Sequence, residues 1–104
     1  MNLSVSYSEG VLNLYLSGEL DHHEAGKTVS AVEALLDEYL PRCCVLDLAG
    51  LRFMDSSGIA VVIRIGKKMK SLGGDIRLEN PPGQVRRVLD ASGIGRLVAA
   101  GERS

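Results

Sequence analysis

The sequence predicts a single α/β domain, residues 1–104, built on a small mixed sheet of four to five strands. Two patterns carry that expectation. In the first twenty positions apolar residues alternate with polar ones, as on half-buried strands. Further along they recur at spacings of three and four, as on amphipathic helices. Strand-like and helix-like segments then take turns, giving the order β-β-α-β-α-β-α and a last short strand over residues 97–100. Strands that alternate with helices are joined by right-handed crossovers, which run neighbouring strands parallel.

Leu3, Val5 and Tyr7 alternate with serines, Glu9-Gly10 marks a tight turn, and Leu12, Leu14 and Leu16 alternate with Asn13, Tyr15 and Ser17. Together they spell a hairpin. Asp21 opens a helix as its N-cap, with Glu24 three residues on as in a capping box. Ala25, Val29, Val32, Leu36 and Tyr39 form one apolar face, and Pro41 stops the helix. Residues 43–48 are apolar apart from Asp47, as on a strand covered on both faces, and a loop is expected over residues 49–55. A second helix is expected over residues 57–72. It should bury Ile59, Val62, Ile63, Gly66 and Met69 and wet Arg64, Lys67, Lys68 and Ser71. Gly73-Gly74 ends it as a left-handed cap would. Ile76 and Leu78 mark the next strand. Pro81-Pro82-Gly83 leads into a third helix, with Val85, Val88 and Leu89 inward and Gly93 as its stop.

Composition narrows the function. Apolar residues make up 45% and charged residues 24%, a globular balance at a length that can bury a core without disulfides or metal. A net charge of −1 supplies neither a basic surface for nucleic acid nor an acidic tail. No apolar run approaches the roughly 20 residues a membrane helix needs, and Met1-Asn2-Leu3-Ser4 does not open a signal peptide. The adjacent Cys43 and Cys44 would point to opposite faces of a strand, so a bond between them is strained. They are expected to be reduced core residues of a cytoplasmic protein. No metal and no cofactor is expected.

The segment Phe53-Met54-Asp55-Ser56-Ser57-Gly58-Ile59 joins a strand region to a helix. Asp55, Ser56 and Ser57 are all good caps. Capping alone and a functional hydroxyl draw on the same hydrogen-bonding property, and the residues leave both open. One of Phe53 and Met54 staples the loop to the core and leaves the other for a partner. Doubled serines offer one hydroxyl for the cap and one for solvent. A helix N-terminus accepts added negative charge, so a phosphoryl group there would not wreck the fold. In Ser17-Gly18-Glu19-Leu20-Asp21-His22-His23, the first reading is a strand end, a turn and a capped helix. Adjacent histidines on a helix do not share a face and make poor metal ligands.

An enzyme reading fails on its parts. Ser56 with Asp21 and His22 suggests a hydrolase triad, yet Gly-x-Ser-x-Gly is absent. Neither Gly-x-Gly-x-x-Gly nor a phosphate loop is present. Asp47 lacks the acidic neighbours of a metal-assisted phosphoacceptor. Arg64, Lys67 and Lys68, with Arg86 and Arg87, read first as solvated helix faces and second as an attraction for an acidic partner.

Gly18-Glu19-Leu20-Asp21-His22-His23 and Phe53-Met54-Asp55-Ser56-Ser57-Gly58 resemble the two signature segments of STAS-domain anti-sigma-factor antagonists, above all the sporulation members. Gly73-Gly74 before a strand, and Val85-Arg86-Arg87-Val88-Leu89-Asp90-Ala91-Ser92-Gly93-Ile94, fit the same pattern. The resemblance spans essentially the whole chain. It implies a STAS fold, with helices packed mainly on one side of the sheet, and a regulatory protein that is not an enzyme. It implies a cytoplasmic protein, monomeric when free, with two partners: an anti-sigma factor that is also an ATP-using serine kinase, and a serine phosphatase. The unphosphorylated form would bind the anti-sigma factor and free the sigma factor. Phosphorylation of the first serine, here Ser56, would switch it off, and the phosphatase would restore it. By the same carry-over Asp21, Met54, Asp55, Ser56 and Ser57 lie at the contact surface. Members often continue past the last strand into a C-terminal helix, whereas this chain runs to Ser104.

Overall fold

A hairpin followed by three strand–helix–strand crossovers builds the molecule. Its computed structural model describes residues 1–94 and the backbone of Ala99–Ala100. The elements run β1 (Asn2–Ser8), β2 (Val11–Leu20), α1 (His22–Tyr39), β3 (Cys43–Met54), α2 (Ser56–Ser71), β4 (Asp75–Glu79), α3 (Gly83–Ser92) and β5 (Ala99–Ala100). The five strands lie side by side in chain order. β1 pairs antiparallel with β2, and β2, β3, β4 and β5 run parallel. When parallel strands step in one direction through right-handed crossovers, every helix lands on the same face. This is the one-sided mixed sheet expected from the sequence. Of the expected last strand, residues 97 and 98 lie outside the described residues.

Burial confirms the sidedness. Register aligns Leu12 with Cys44 and Ile76, and Leu14 with Leu46 and Leu78, in two apolar rows under the helices. The other face carries Asn13, Val45 and Arg77 in one row and Tyr15, Asp47 and Glu79 in the next. Only Val45 of these six is buried. β3 therefore does not lie between two layers. Its apolar run comes from position at the sheet centre, where neighbouring strands shield even the open face.

The hairpin turn places Glu9 and Gly10 at φ 52° and 83°, the left-handed pair that suits the twist of a two-residue loop. Arg42 holds it, donating from its guanidinium to the Glu9 carbonyl at 2.7 Å and from its backbone N–H to the Gly10 carbonyl at 2.8 Å. Tyr7 stacks on Tyr39 at 4.9 Å, joining the edge strand to the end of α1.

Two further expectations need correction. The loop over residues 49–55 is strand as far as Met54. β2 and β3 absorb two register shifts and keep pairing down to Leu20 with Met54. Gly50 permits this, since a Cβ there would lie 2.8 Å from Ser17 Cβ and 2.9 Å from the Leu16 carbonyl oxygen. The buried stripe of α2 is Gly58, Val61, Val62, Ile65 and Met69, with Ile59, Ile63 and Gly66 on its flanks. Its basic face is tied to α1 by Arg64–Glu33 at 3.3 Å and Lys68–Asp37 at 2.7 Å. Such exposed pairs contribute at most about 1 kcal/mol each. A fully buried aliphatic side chain contributes about 1.5–3 kcal/mol, so the apolar stripe docks the helix.

The cysteines are both free thiols but differ. Cys44 is a core residue, whereas Cys43 is half-buried on the open face. Burial, and Cys43 beside it, push the Cys44 thiol up to about 12 from 9.0. Burial also raises Cys43, opposed by Arg77 and reinforced by Asp75 and Glu79. For Cys44 the unfolded thiol loses its proton first. Stability from this group is constant below pH 9 and falls between 9 and about 12. Thermal unfolding by circular dichroism should show Tm dropping above pH 9, with a shallower drop in Cys44→Ala.

Candidate functional site

β2, β3 and β4 each hand the chain to a helix at their C-terminal ends, the edge where open α/β sheets place their sites. β2 and β3 finish as a register pair, Leu20 with Met54. The Asp55 backbone N–H approaches the Leu20 carbonyl oxygen at 3.5 Å. The starts of α1 and α2 consequently lie next to each other, and both signature segments meet there.

Both helices are capped by aspartate. Asp21 Oδ1 accepts from the backbone N–H groups of His23 at 3.0 Å and Glu24 at 3.2 Å. Asp55 Oδ1 accepts from the Ser57 N–H at 2.8 Å. The expected capping box is half made, since the Glu24 carboxylate lies 3.5 Å from the Met1 amino group. With Asp55 as cap, neither serine hydroxyl is needed for that job. Ser56 is the first residue of α2 and exposed; Ser57 follows, half-buried.

Met54 and Phe53 divide the staple and the free surface. Met54 is 0% exposed and Phe53 is 39% exposed. Met54, expected among the contact residues, is therefore placed inside the core, where its side chain reaches no partner. It forms the floor under the helix start, and Phe53 is the apolar group on the outside. Gly58 lets α2 sit down on that floor, because a Cβ there would lie 2.5 Å from Met54 Cγ and 3.3 Å from Leu20 Cγ.

One residue of the site escaped the sequence reading. Gln84, near the start of α3, accepts from the Met54 N–H through Oε1 at 2.9 Å and donates from Nε2 to the Met54 carbonyl at 3.0 Å. No local pattern marks it, since the partner lies thirty residues earlier.

Other candidates show no chemistry of their own. His22 and His23 are exposed, with rings 6.1 Å apart. Among the described residues no group of three or more His, Cys, Asp or Glu is placed to hold a metal. Asp47 accepts from the Ala49 N–H within β3 at 3.0 Å and from the amide of Asn80, just past β4, at 3.2 Å. A groove of about 660 Å³ separates α1 from α2, walled by Ala25, Val29, Ala60 and Val61 and reaching Ser57. No described helix is long and apolar enough to cross a membrane.

The site is thus two aspartate-capped helix starts at one edge of a one-sided sheet, with an exposed serine opening the second helix. The chain belongs to the STAS domain family, whose pattern matches residues 2–103. It is similar to the anti-sigma F factor antagonist of Paenibacillus polymyxa, at 41% identity over 106 residues covering 94% of this chain and 86% of the relative. It is also similar to the anti-sigma F factor antagonist of Lysinibacillus sphaericus, at 34% identity over 80 residues covering 77% and 68%. Among solved structures, the anti-sigma factor antagonist SpoIIAA in its unphosphorylated form superposes with a TM-score of 0.81 at 24% identity, covering 98% of this chain and 90% of that one.

Two outcomes follow from the site. Asp55→Ala should cost about 1 kcal/mol in urea unfolding through loss of the cap, whereas Asp55→Asn should cost little. Gly58→Ala should be net destabilising by up to about 2 kcal/mol. Overpacking against Met54 costs about 1–3 kcal/mol, and alanine's helix preference returns up to about 1.

Proposed function

We propose that this STAS domain is an anti-sigma-factor antagonist whose partner surface is centred on Ser56. In the unphosphorylated form it binds an anti-sigma factor and frees the sigma factor. Phosphorylation of Ser56 by that anti-sigma factor, acting as a serine kinase with ATP, switches it off, and a serine phosphatase restores it. The observation that carries the reading is the exposed Ser56 hydroxyl at the first position of α2, with the capping work done by Asp55. Two relatives above 30% identity named as antagonists support the role.

The mechanism is electrostatic. A phosphoserine carries about −1.5 to −2 charges at neutral pH. In the free domain the helix N-terminus, equivalent to roughly +0.5 charge, favours it. In a complex the same group would be buried against the partner, beside the carboxylates of Asp55 and Asp21. Taking binding from 99:1 to 1:99 requires about 5.5 kcal/mol of differential affinity. An uncompensated buried charge costs about 3–5 kcal/mol, and repulsion from the two carboxylates adds to it. No rearrangement of the helices is required.

Phe53, Asp21, Asp55 and Ser57 surround the serine as contact residues, with Met54 beneath them. The groups that catalyse phosphoryl transfer come from the kinase. Incubation with a candidate anti-sigma kinase and ATP should add one phosphoryl group, located by mass spectrometry on Ser56. Ser56→Ala should bind the kinase and resist inactivation, and Ser56→Asp should bind at least tenfold more weakly by titration calorimetry. Equal binding of Ser56→Asp and the parent chain would reject the mechanism.

A further inference from the structure

β3 is longer than its neighbour on one side. Its pairing with β4 ends at Asp47 with Glu79, but β3 continues to Met54. Beyond Asp47 the strand is held on the β2 side alone. Along a strand, the backbone polar groups of successive residues point alternately left and right. The Asp55 N–H faces β2, toward the Leu20 carbonyl. The N–H and C=O of Met54 therefore face the side where β4 would be, had β4 been longer. Met54 is a core residue, and leaving its backbone groups unpaired there would cost about 1–3 kcal/mol apiece.

Gln84 fills that position. Its carboxamide offers one acceptor and one donor in a single plane, as a peptide group of a neighbouring strand does. Both are used on the same residue, at 2.9 Å and 3.0 Å. We infer that Gln84 is a positioning residue: a side-chain stand-in for the missing end of β4 that fixes the Met54 peptide and so the presentation of Asp55 and Ser56. Both of its hydrogen bonds go to Met54 and neither goes to a serine. It acts through the strand end, two residues before the hydroxyl. The arrangement also makes α3 a support of the switch, although α3 contributes no group to the exposed surface around Ser56 in the proposed reading.

This inference rests on Ser56 being the phosphorylated residue, and its consequences for the kinase follow from that. If the strand end is loosened, the presented conformation is only fractionally populated. The apparent affinity of the kinase then falls by that fraction, while the chemical step in the docked complex is unchanged. Gln84→Ala and the length-matched Gln84→Met remove both hydrogen bonds. The full-length chain should show amide exchange about tenfold faster at Met54 and at its immediate neighbours, followed by NMR. KM for Ser56 phosphorylation should rise about tenfold with kcat within twofold. Ile76→Val, remote from the end of β3 and chosen for a similar loss of Tm, should leave KM and the Met54 exchange unchanged.

Wild-type exchange at Met54 together with wild-type KM in both Gln84 variants would overturn the assignment. A matching rise of KM in Ile76→Val would also overturn it, by reducing the effect to general stability. If the parent chain is not phosphorylated on Ser56, the proposed function fails, and exchange at Met54 alone decides the role of Gln84. Faster exchange confined to the strand end upholds it; unchanged exchange rejects it.

Discussion

Parallel strands that step through the sheet in chain order must all release the chain at the same edge. That constraint shapes everything functional in this domain. It gathers the start of α1 and the start of α2 at neighbouring positions, each bringing a positive helix end and unsatisfied N–H groups. Two aspartates answer this, Asp21 on one helix and Asp55 on the other. With the caps supplied by carboxylates, Ser56 is left free at a place where backbone, dipole and exposure all suit a negatively charged modification.

Beneath that edge the structure is rigid by construction. Met54 fills the floor, Gly58 lets α2 rest on it, and Gln84 closes the open side of the strand. Under the proposed phosphorylation, a hydroxyl mounted in this way would change its charge without changing its support. That fits a switch read directly by a partner surface better than one transmitted by refolding. It also separates duties: Phe53 and Ser56 face outward, while the residues that hold them face in.

Much of this was legible in the sequence. The hairpin, the three helices and their stops follow from period-two and period-3.6 patterns. Asp21 was readable as a cap because N-capping is local chemistry; at α2 the same chemistry left Asp55, Ser56 and Ser57 as alternatives, and the structure gives the cap to Asp55 rather than to a serine. The end of β3 was not legible. Ala49, Gly50 and Arg52 look like loop residues, and their strand state depends on register shifts against β2. The stripe of α2 was misphased by a few positions, since Ile59 and Ile63 are as apolar as Val61 and Ile65 and only packing chooses between them. The sequence could say that one of Phe53 and Met54 turns inward, but the pleat of β3 decides which. Gln84 was invisible for the plainest reason. Its meaning is a match between an α3 side chain and a strand ending far earlier in the chain, and nothing around it in sequence encodes that match.

The Tyr7–Tyr39 stack belongs to the opposite end of the molecule, where the hairpin turn meets the close of α1. The chain has three tyrosines and no tryptophan, and the third, Tyr15, looks out from the uncovered sheet face. Its intrinsic near-ultraviolet emission is thus an optical report on whether the edge strand remains seated against the first helix. None of the three tyrosines stands at the serine-bearing edge, where the aromatic group is the weakly emitting Phe53. A fluorometer following this domain would see it melt, yet a phosphoryl group added to Ser56 as proposed would pass it in darkness.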